Sequence, residues 1–414
     1  MIKKLFLITL LAGSILTNGC WDRRELESLS LVQTLGLDLG PRGKGITVTT
    51  MIAIPPKIAG GGGQSGGSGA GSGVFTISMN APTVYEGFNL INTTINREVT
   101  LLQTSVILIG EDLAKQGLQK IIDNLVRFRE MRRTILIFVC RGTAAEIMKV
   151  QPQLEKNPAE YFTDLVNLSY RTGMFPVVTL NSFMYGYEEF AQEDFAPLLD
   201  KFKPVEPEAS NNDADSQDQK NKKDQKSEPS KDMENIRIIG AAVFRKDKLV
   251  GTLDIYESIA LQLLTGRFRE ALSSISDPLN KDSQISYRLL ATTTPDIKYL
   301  RRPTDQFRIY FKLEADILSI QSGINYTTPR KEVLLEKHIA RELKRRIVSV
   351  ITKAQKEYGS DVFGLGKTVR ATFLTSPAWE RYHWPERFAT AKVAVNVKVA
   401  IRRVGVQFQP PELK

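Results

Sequence analysis

Apolar residues recur at Leu29, Leu31, Leu35, Leu37 and Leu39, the two-residue period that turns one side of a strand toward a core. Gly40-Pro41-Arg42-Gly43 interrupts the pattern as a turn. Alternation resumes at Ile46, Val48, Ile52 and Ile54 and again at Phe75, Ile77 and Met79, so two more strands are expected. Between them, residues 60–73 hold nine glycines in fourteen positions. Such a stretch has no apolar surface to bury and is expected to form a flexible hairpin loop. Beyond Asn80 the period lengthens: Val84, Phe88, Ile91 and Ile95 share a helical face, with Asn80 or Ala81 near the cap and Pro82 in the first turn. Residues 106–109 read as a strand, and Ala114, Leu118, Ile121, Leu125 and Phe128 as one face of a helix. A buried strand ending at Cys140 and a short helix through Ile147 follow. Strands alternating with helices imply a layered α/β domain over residues 20–150.

A small middle unit, residues 151–275, is expected to open with helices at 158–170 and 182–190. Residues 206–235 then contain no Leu, Ile, Val, Phe, Tyr or Trp, and a segment so poor in apolar groups is expected to be disordered. It is either a loop inside the middle unit or a linker between two domains. Residues 236–244 return as a strand, Asp247-Lys248 turns, Leu249 to Leu253 pairs back, and a helix at 255–264 packs on the hairpin. The third unit, residues 276–414, alternates at Ile285, Tyr287, Leu289 and Ala291 and again from Phe307 to Ile317. Its helix at 329–358 carries Leu335, Ile339, Leu343, Ile347 and Ile351 in one stripe, which needs the face of a sheet to cover it. Gly359 is placed to end that helix, and Val393 to Ile401 form a last strand. The expected class is mixed α/β to α+β in three domains. Mixed or antiparallel sheets carry packed helices, and one long helix covers the C-terminal sheet.

Composition narrows the chemistry more than it defines it. Lys and Arg number 56 against 46 Asp and Glu, for a net charge of +10, which suits an anionic surface without identifying one. The clusters Arg127-Arg129-Arg132-Arg133 and Arg341-Lys344-Arg345-Arg346 fall on predicted helices and read as solvated faces. No basic stripe is interleaved with aromatics, so no nucleic-acid partner is expected. The two histidines, His338 and His383, form no ligand pair, and Cys140 has no cysteine partner for a zinc site, so no metal site is expected. Gly63-Gln64-Ser65-Gly66-Gly67 matches a nucleophile elbow only on paper, because that elbow needs a strand before it and a helix after it. No catalytic residues are assigned, and no cofactor beyond a covalent lipid is expected. The aromatic group Trp379, Tyr382 and Trp384 reads mainly as core. Gly364-Leu365-Gly366 reads as a turn set by positive φ or close approach.

The amino-terminal end is the most specific segment. Lys3 and Lys4 precede an uncharged, mostly apolar run from Leu5 to Leu16, and Thr17-Asn18-Gly19 leads to Cys20. That order is a secretory signal peptide over residues 1–19. A cysteine directly after the processing site points to bacterial lipoprotein processing, with Cys20 carrying the S-diacylglycerol and N-acyl anchor. Thr17 stands where a lipobox usually has Leu, and Leu16 is one place further back. Loss of Lys3 and Lys4 lowers the net charge to about +8. Trp21, Asp22, Arg23, Arg24 and Glu25 follow at once and are the candidate membrane or partner contacts, an amphipathic indole and two arginines beside the acyl chains.

Gly19-Cys20-Trp21-Asp22-Arg23-Arg24-Glu25-Leu26, the stretch from Gly240 to Gly251, and Ser360-Asp361-Val362-Phe363-Gly364-Leu365-Gly366 together resemble the signatures of the Ger(x)C lipoproteins. These are the C subunits of spore-germination nutrient receptors. The resemblance implies three α/β-type domains and a non-catalytic, lipid-anchored subunit on the outer face of the spore inner membrane. It implies two membrane-embedded partners, the A-type and B-type receptor subunits, and a role in scaffolding or coupling nutrient sensing to ion and dipicolinate release. The alternative is a solute-binding lipoprotein that captures the nutrient itself, which predicts a ligand-sized cleft.

Overall fold

The computed structural model describes residues 25–54, 73–150, 158–189, 191–203, 234–301 and 304–404. Strand β1 (Leu29–Leu39) lies within a nine-stranded mixed sheet, and it is buried on both faces where alternation alone implies one. Leu35 and Leu37 face a core shared with Phe88, Ile91, Leu113 and Leu125. The opposite side of the sheet is covered by a second core, where Val106, Leu108, Phe138 and Cys140 meet Ala144, Ile147 and Phe162. Helices on both faces explain why the central strands are nearly continuous apolar runs.

Strands β2 (Ile46–Ala53) and β3 (Val74–Ala81) extend the sheet on one side, and the short β4 (Glu98–Thr100) pairs with the start of β1. Strands β5 (Val106–Gly110), β6 (Leu136–Cys140) and β7 (Phe195–Phe202) run parallel on the other side. The antiparallel hairpin of β8 (Asn235–Arg245) and β9 (Lys248–Asp254) completes the order β3-β2-β1-β5-β6-β7-β8-β9. The sheet therefore runs on past residue 150: Val139 pairs with Leu198 and Cys140 with Leu199. Strand β7 is absent from the sequence expectations, because Pro197, Asp200 and Lys201 disguise a strand whose first half is wholly buried. Phe202 pairs with Asn235, so the polar tract leaves and re-enters at one end of a single strand pair. Its residues 204–233, like residues 55–72 of the glycine-rich segment, lie outside the described residues.

The second sheet holds β10 (Glu270–Ser276), β11 (Gln284–Ala291), β12 (Asp296–Leu300), β13 (Gln306–Ile320) and β14 (Lys392–Val404), with β14 parallel to β13. The long helix Pro329–Lys353 lies in the crossover between those two strands and buries the stripe Leu335, Ile339, Leu343, Ile347 and Ile351. A π-helical turn, Ala354–Tyr358, follows it, and Gly359 ends it in the left-handed region at φ +57°.

Three local expectations need correction. The helix Val84–Asn92 is capped by Thr83, whose hydroxyl accepts from the Glu86 N–H, because residues 80 and 81 remain in β3. The helix expected across Leu118 is two helices, Glu111–Gln116 and Gln119–Arg127, broken at Gly117 with φ +128°. Leu118 uses its N–H there to reach the Asp247 carbonyl of the β8–β9 turn. Of the first basic cluster only Arg127 is helical, since the chain turns extended at Phe128, whose ring packs on Tyr85.

Candidate functional site

Two of the sequence signatures, far apart in the chain, meet at one junction. The β8–β9 hairpin carries residues 240–251, and the turn after the long helix carries residues 360–366. Ser360 Oγ donates to the Phe244 carbonyl at 2.5 Å, and Tyr358 OH donates to the Thr252 carbonyl at 2.7 Å. Lys353 Nζ reaches the same Thr252 carbonyl and pairs with Glu257 at 2.8 Å. Glu257 in turn closes a capping box with Asp254 at the start of the helix Ile255–Leu264. The glycines follow from crowding. A Cβ at Gly251 would stand 2.1 Å from the Tyr358 ring, and one at Gly240, whose φ is +146°, would stand 1.9 Å from the Leu253 carbonyl oxygen.

Asp361 is the polar centre of this junction. Its buried carboxylate accepts from the N–H groups of Leu365 and Gly366 and from the Trp384 indole. Gly364, at φ +75°, shapes the turn that aims those amides. Burial pushes the carboxyl up to about 6, against the lowering by the Gly366, Leu365 and Gly364 amides and the Trp384 indole. The Asp361 carbonyl accepts from the Glu193 N–H, and Gln192 Nε2 donates to the Val362 carbonyl. Segment 191–194 thus ties the C-terminal turn to the edge of β7.

Beside it opens a cleft of about 210 Å3, with Asn181, Ser182 and Tyr185 on one wall and Arg267 and Lys367 at the rim. Its floor includes Asp194, 5% exposed, whose Oδ2 has no hydrogen-bond partner among the described residues. Burial first, and then Glu193, hold the Asp194 carboxyl well above the usual carboxylate range, while Arg267 and Lys367 pull the other way. Neither Asp194 nor Asp361 stands out as a polar centre in the sequence. A lone Asp carries no periodic signal, although the Gly364/Gly366 pair does mark the turn that Asp361 organises.

The anchor Cys20 and the contact candidates Trp21, Asp22, Arg23 and Arg24 lie outside the described residues. Glu25 is exposed, and its carbonyl accepts from both the N–H and the hydroxyl of Ser28 at the entrance to β1. Cys140 is fully buried at the end of β6, and burial raises its thiol well above the usual range. Trp379, Tyr382 and Trp384 are all buried. His338 contacts the Ser276 carbonyl, and His383 is exposed at φ +51°. Among the described residues no group of three His, Cys, Asp or Glu is placed to hold a metal, and no helix is long and apolar enough to cross a membrane.

Comparison with known proteins places this architecture. Residues 22–201 match the family described as the spore germination protein N-terminal domain, and residues 239–405 match the spore germination B3/GerAC-like C-terminal family. YfkR of Bacillus subtilis (strain 168) is 26% identical, with 95% of each chain covered. Spore germination protein KC of the same strain is 23% identical, covering 99% of this chain and 98% of its own. The crystal structure of the GerBC protein superposes with a TM-score of 0.53 at 17% identity, covering 92% of this chain and 99% of that one, and so shares its fold. With both halves matched and the hairpin and turn signatures joined at one junction, the chain belongs to the Ger(x)C family of spore germination proteins.

Proposed function

We propose that this protein is a lipid-anchored, non-catalytic subunit of a spore nutrient germinant receptor, held by Cys20 on the outer face of the spore inner membrane. It works there with A-type and B-type membrane subunits. The observation that carries the reading is the short path from anchor to core. Only residues 21–28 separate Cys20 from β1, a strand hydrogen-bonded on both sides within the large sheet. Even fully extended, those nine steps reach roughly 30 Å. An anchor so close to a central strand suits a part that transmits or holds position at a membrane. Two acyl attachments give firmer retention than one chain alone. The junction of hairpin, long helix and Asp361 turn supports the same role, because Ser360, Tyr358 and Lys353 tie the C-terminal half to the β8–β9 hairpin of the large sheet by hydrogen bonds. The family match and relatives named as spore germination proteins KC and B3 support the receptor assignment.

The test is dipicolinate release from spores of the native host, comparing wild type, a deletion and Cys20→Ala. Spores are exposed to a nutrient panel and to a chemical trigger that bypasses nutrient receptors. A receptor subunit loses one nutrient response on deletion and keeps the bypass response, and Cys20→Ala reproduces part or all of that loss. Survival of every nutrient response in a strain stripped of its other receptors overturns the reading.

A further inference from the structure

Among the described residues, the C-terminal sheet is covered on one side. Phe307, Ile309, Phe311 and Leu313 of β13 and Val395 and Val399 of β14 enter the core beneath the long helix, with Leu335 and Ile339. The alternate residues point away from that helix, and Lys298, Arg308, Tyr310, Lys312 and Lys398 are exposed. A sheet packed on one face ordinarily turns polar residues to water. Its register is what sets this face apart. Lys312 is paired with Lys398 across β13 and β14, and Lys298 with Arg308 across β12 and β13. Like charges directly opposite destabilise a sheet, and reversing one sign in either pair would make it favourable. Solubility is served as well by interspersed charges of both signs, so it does not account for this choice. The carboxylates on this face do little to relieve it. Asp296 stands 3.9 Å from Lys298 with both side chains exposed, and Glu314 is held by Arg402 at 3.0 Å. Among the described residues Arg308, Lys312 and Lys398 make no ion pair.

We infer that the open face of β12, β13 and β14 is a docking surface for the anionic headgroups of a lipid bilayer. Neighbouring strands lie roughly 4.8 Å apart and alternate residues of one strand roughly 6.7 Å apart. The cations are therefore spread over an area and do not converge on one point, as a small-molecule site requires. An array of negative headgroups matches that spread, and it relieves both like-charge pairs at once. Tyr310 lies between Arg308 and Lys312 along β13, with Lys298 Nζ 5.8 Å from its ring centre. An exposed amphipathic ring among cations suits the level of the headgroups. A protein partner calls for an apolar centre to its interface, whereas Tyr310 has Asp296 and Asn396 as its cross-strand neighbours. The inference rests on the proposed anchoring at a membrane, and it adds which side of the C-terminal domain meets that membrane.

Amine labelling of the full chain tests it, after reconstitution into vesicles of phosphatidylcholine alone or mixed with phosphatidylglycerol. Acetic anhydride, an uncharged reagent, modifies exposed lysines, and mass spectrometry reads each position. Lys312 and Lys398 report on the open face, and Lys337, exposed on the long helix across the sheet, is the control. The expected result is at least about fivefold less labelling of Lys312 and Lys398 in the mixed vesicles, with Lys337 unchanged. Salt at about 1 M should restore the labelling, because it shortens the reach of the headgroup charge to about 3 Å. Arg308→Glu leaves both reporters in place and turns an unfavourable pair favourable, so the variant should fold and should also restore labelling. Equal labelling in the two vesicles, equal protection of Lys337, or protection that survives Arg308→Glu each overturns the inference. Flotation of the same samples reads the anchor separately. A chain that does not float with neutral vesicles fails the anchoring reading, and flotation with mixed vesicles alone, abolished by Arg308→Glu, still upholds the face.

Discussion

The indole of Trp384 donates to Asp361 Oδ2 at 2.8 Å across 23 positions of sequence, and the same oxygen accepts from the Gly366 amide at 2.7 Å. The ring that makes this bond stands edge-on to Phe307 of β13 and to Phe388. One residue therefore joins the C-terminal sheet to the turn that grips the β8–β9 hairpin. Replacing Trp384 by Phe keeps an aromatic body and removes the donor. The expected loss is about 2–4 kcal/mol, combining a hydrogen bond to a charged group with a small cavity. Urea unfolding of the two proteins measures it, and a loss below about 0.5 kcal/mol, the scale of ordinary surface changes, contradicts a central role for the pair.

The same carboxylate sets a pH dependence. Its folded value of about 6 lies above the 3.8 of an unperturbed Asp, so the folded state holds the proton more tightly than the unfolded one. That contribution is fully present below about 3.8 and is lost as pH rises through about 6. The direction is destabilisation on going from acid to neutral, by up to about 3 kcal/mol from this group. Asp38, Glu193 and Asp194 are also raised, chiefly by burial, and add slopes of the same sign. The difference between wild type and Asp361→Asn isolates the one group: between pH 4.5 and pH 7 the melting temperature of the wild type should fall relative to that of the variant. Parallel profiles across that range contradict the assignment.

Gly251 and Tyr358 make a pair that a double-mutant cycle can read. A methyl group added at Gly251 would begin 2.1 Å from the ring, so Gly251→Ala must displace Tyr358 and its bond to the Thr252 carbonyl. A cost of about 1–3 kcal/mol is expected from such overpacking. In a Tyr358→Ala background the added methyl has room, and most of that penalty should vanish. Equal penalties in both backgrounds place the strain elsewhere.

Much of this fold is legible in the sequence because burial imposes periods. The long helix announces itself through Leu335, Ile339, Leu343, Ile347 and Ile351, and β13 through its strict alternation. Where both faces of an element are covered the period fades, so β1 reads as one-sided and β7 does not read as a strand at all. Tertiary contacts also cut elements that local pattern joins. Gly117 breaks a helix where Leu118 must reach Asp247, a partner 129 positions away in the chain. The junction is half visible: its glycines stand out in sequence, whereas Asp361, Gln192 and Asp194 acquire meaning only when distant segments meet. The cleft leaves no sequence trace, because its charges come from separate stretches of chain.

The polar tract gives a last expectation, argued from its two ends. Phe202 and Asn235 are paired residues of adjacent antiparallel strands, so the fold needs only a turn between them. Closing a long loop costs conformational entropy that grows with the logarithm of its length. Replacing residues 206–233 by a short Gly/Ser turn shortens the connection roughly fivefold. The fold should then gain about 1 kcal/mol. The excised residues contribute charge but almost no apolar surface, so little opposes that gain. Chemical denaturation of the shortened chain measures the change, and dipicolinate release from spores carrying it asks whether the tract has a second role. A more stable protein with a normal nutrient response marks the tract as an insertion. A gain in stability with a lost response assigns it to a partner contact, and a loss of stability shows that it packs on the sheet it leaves.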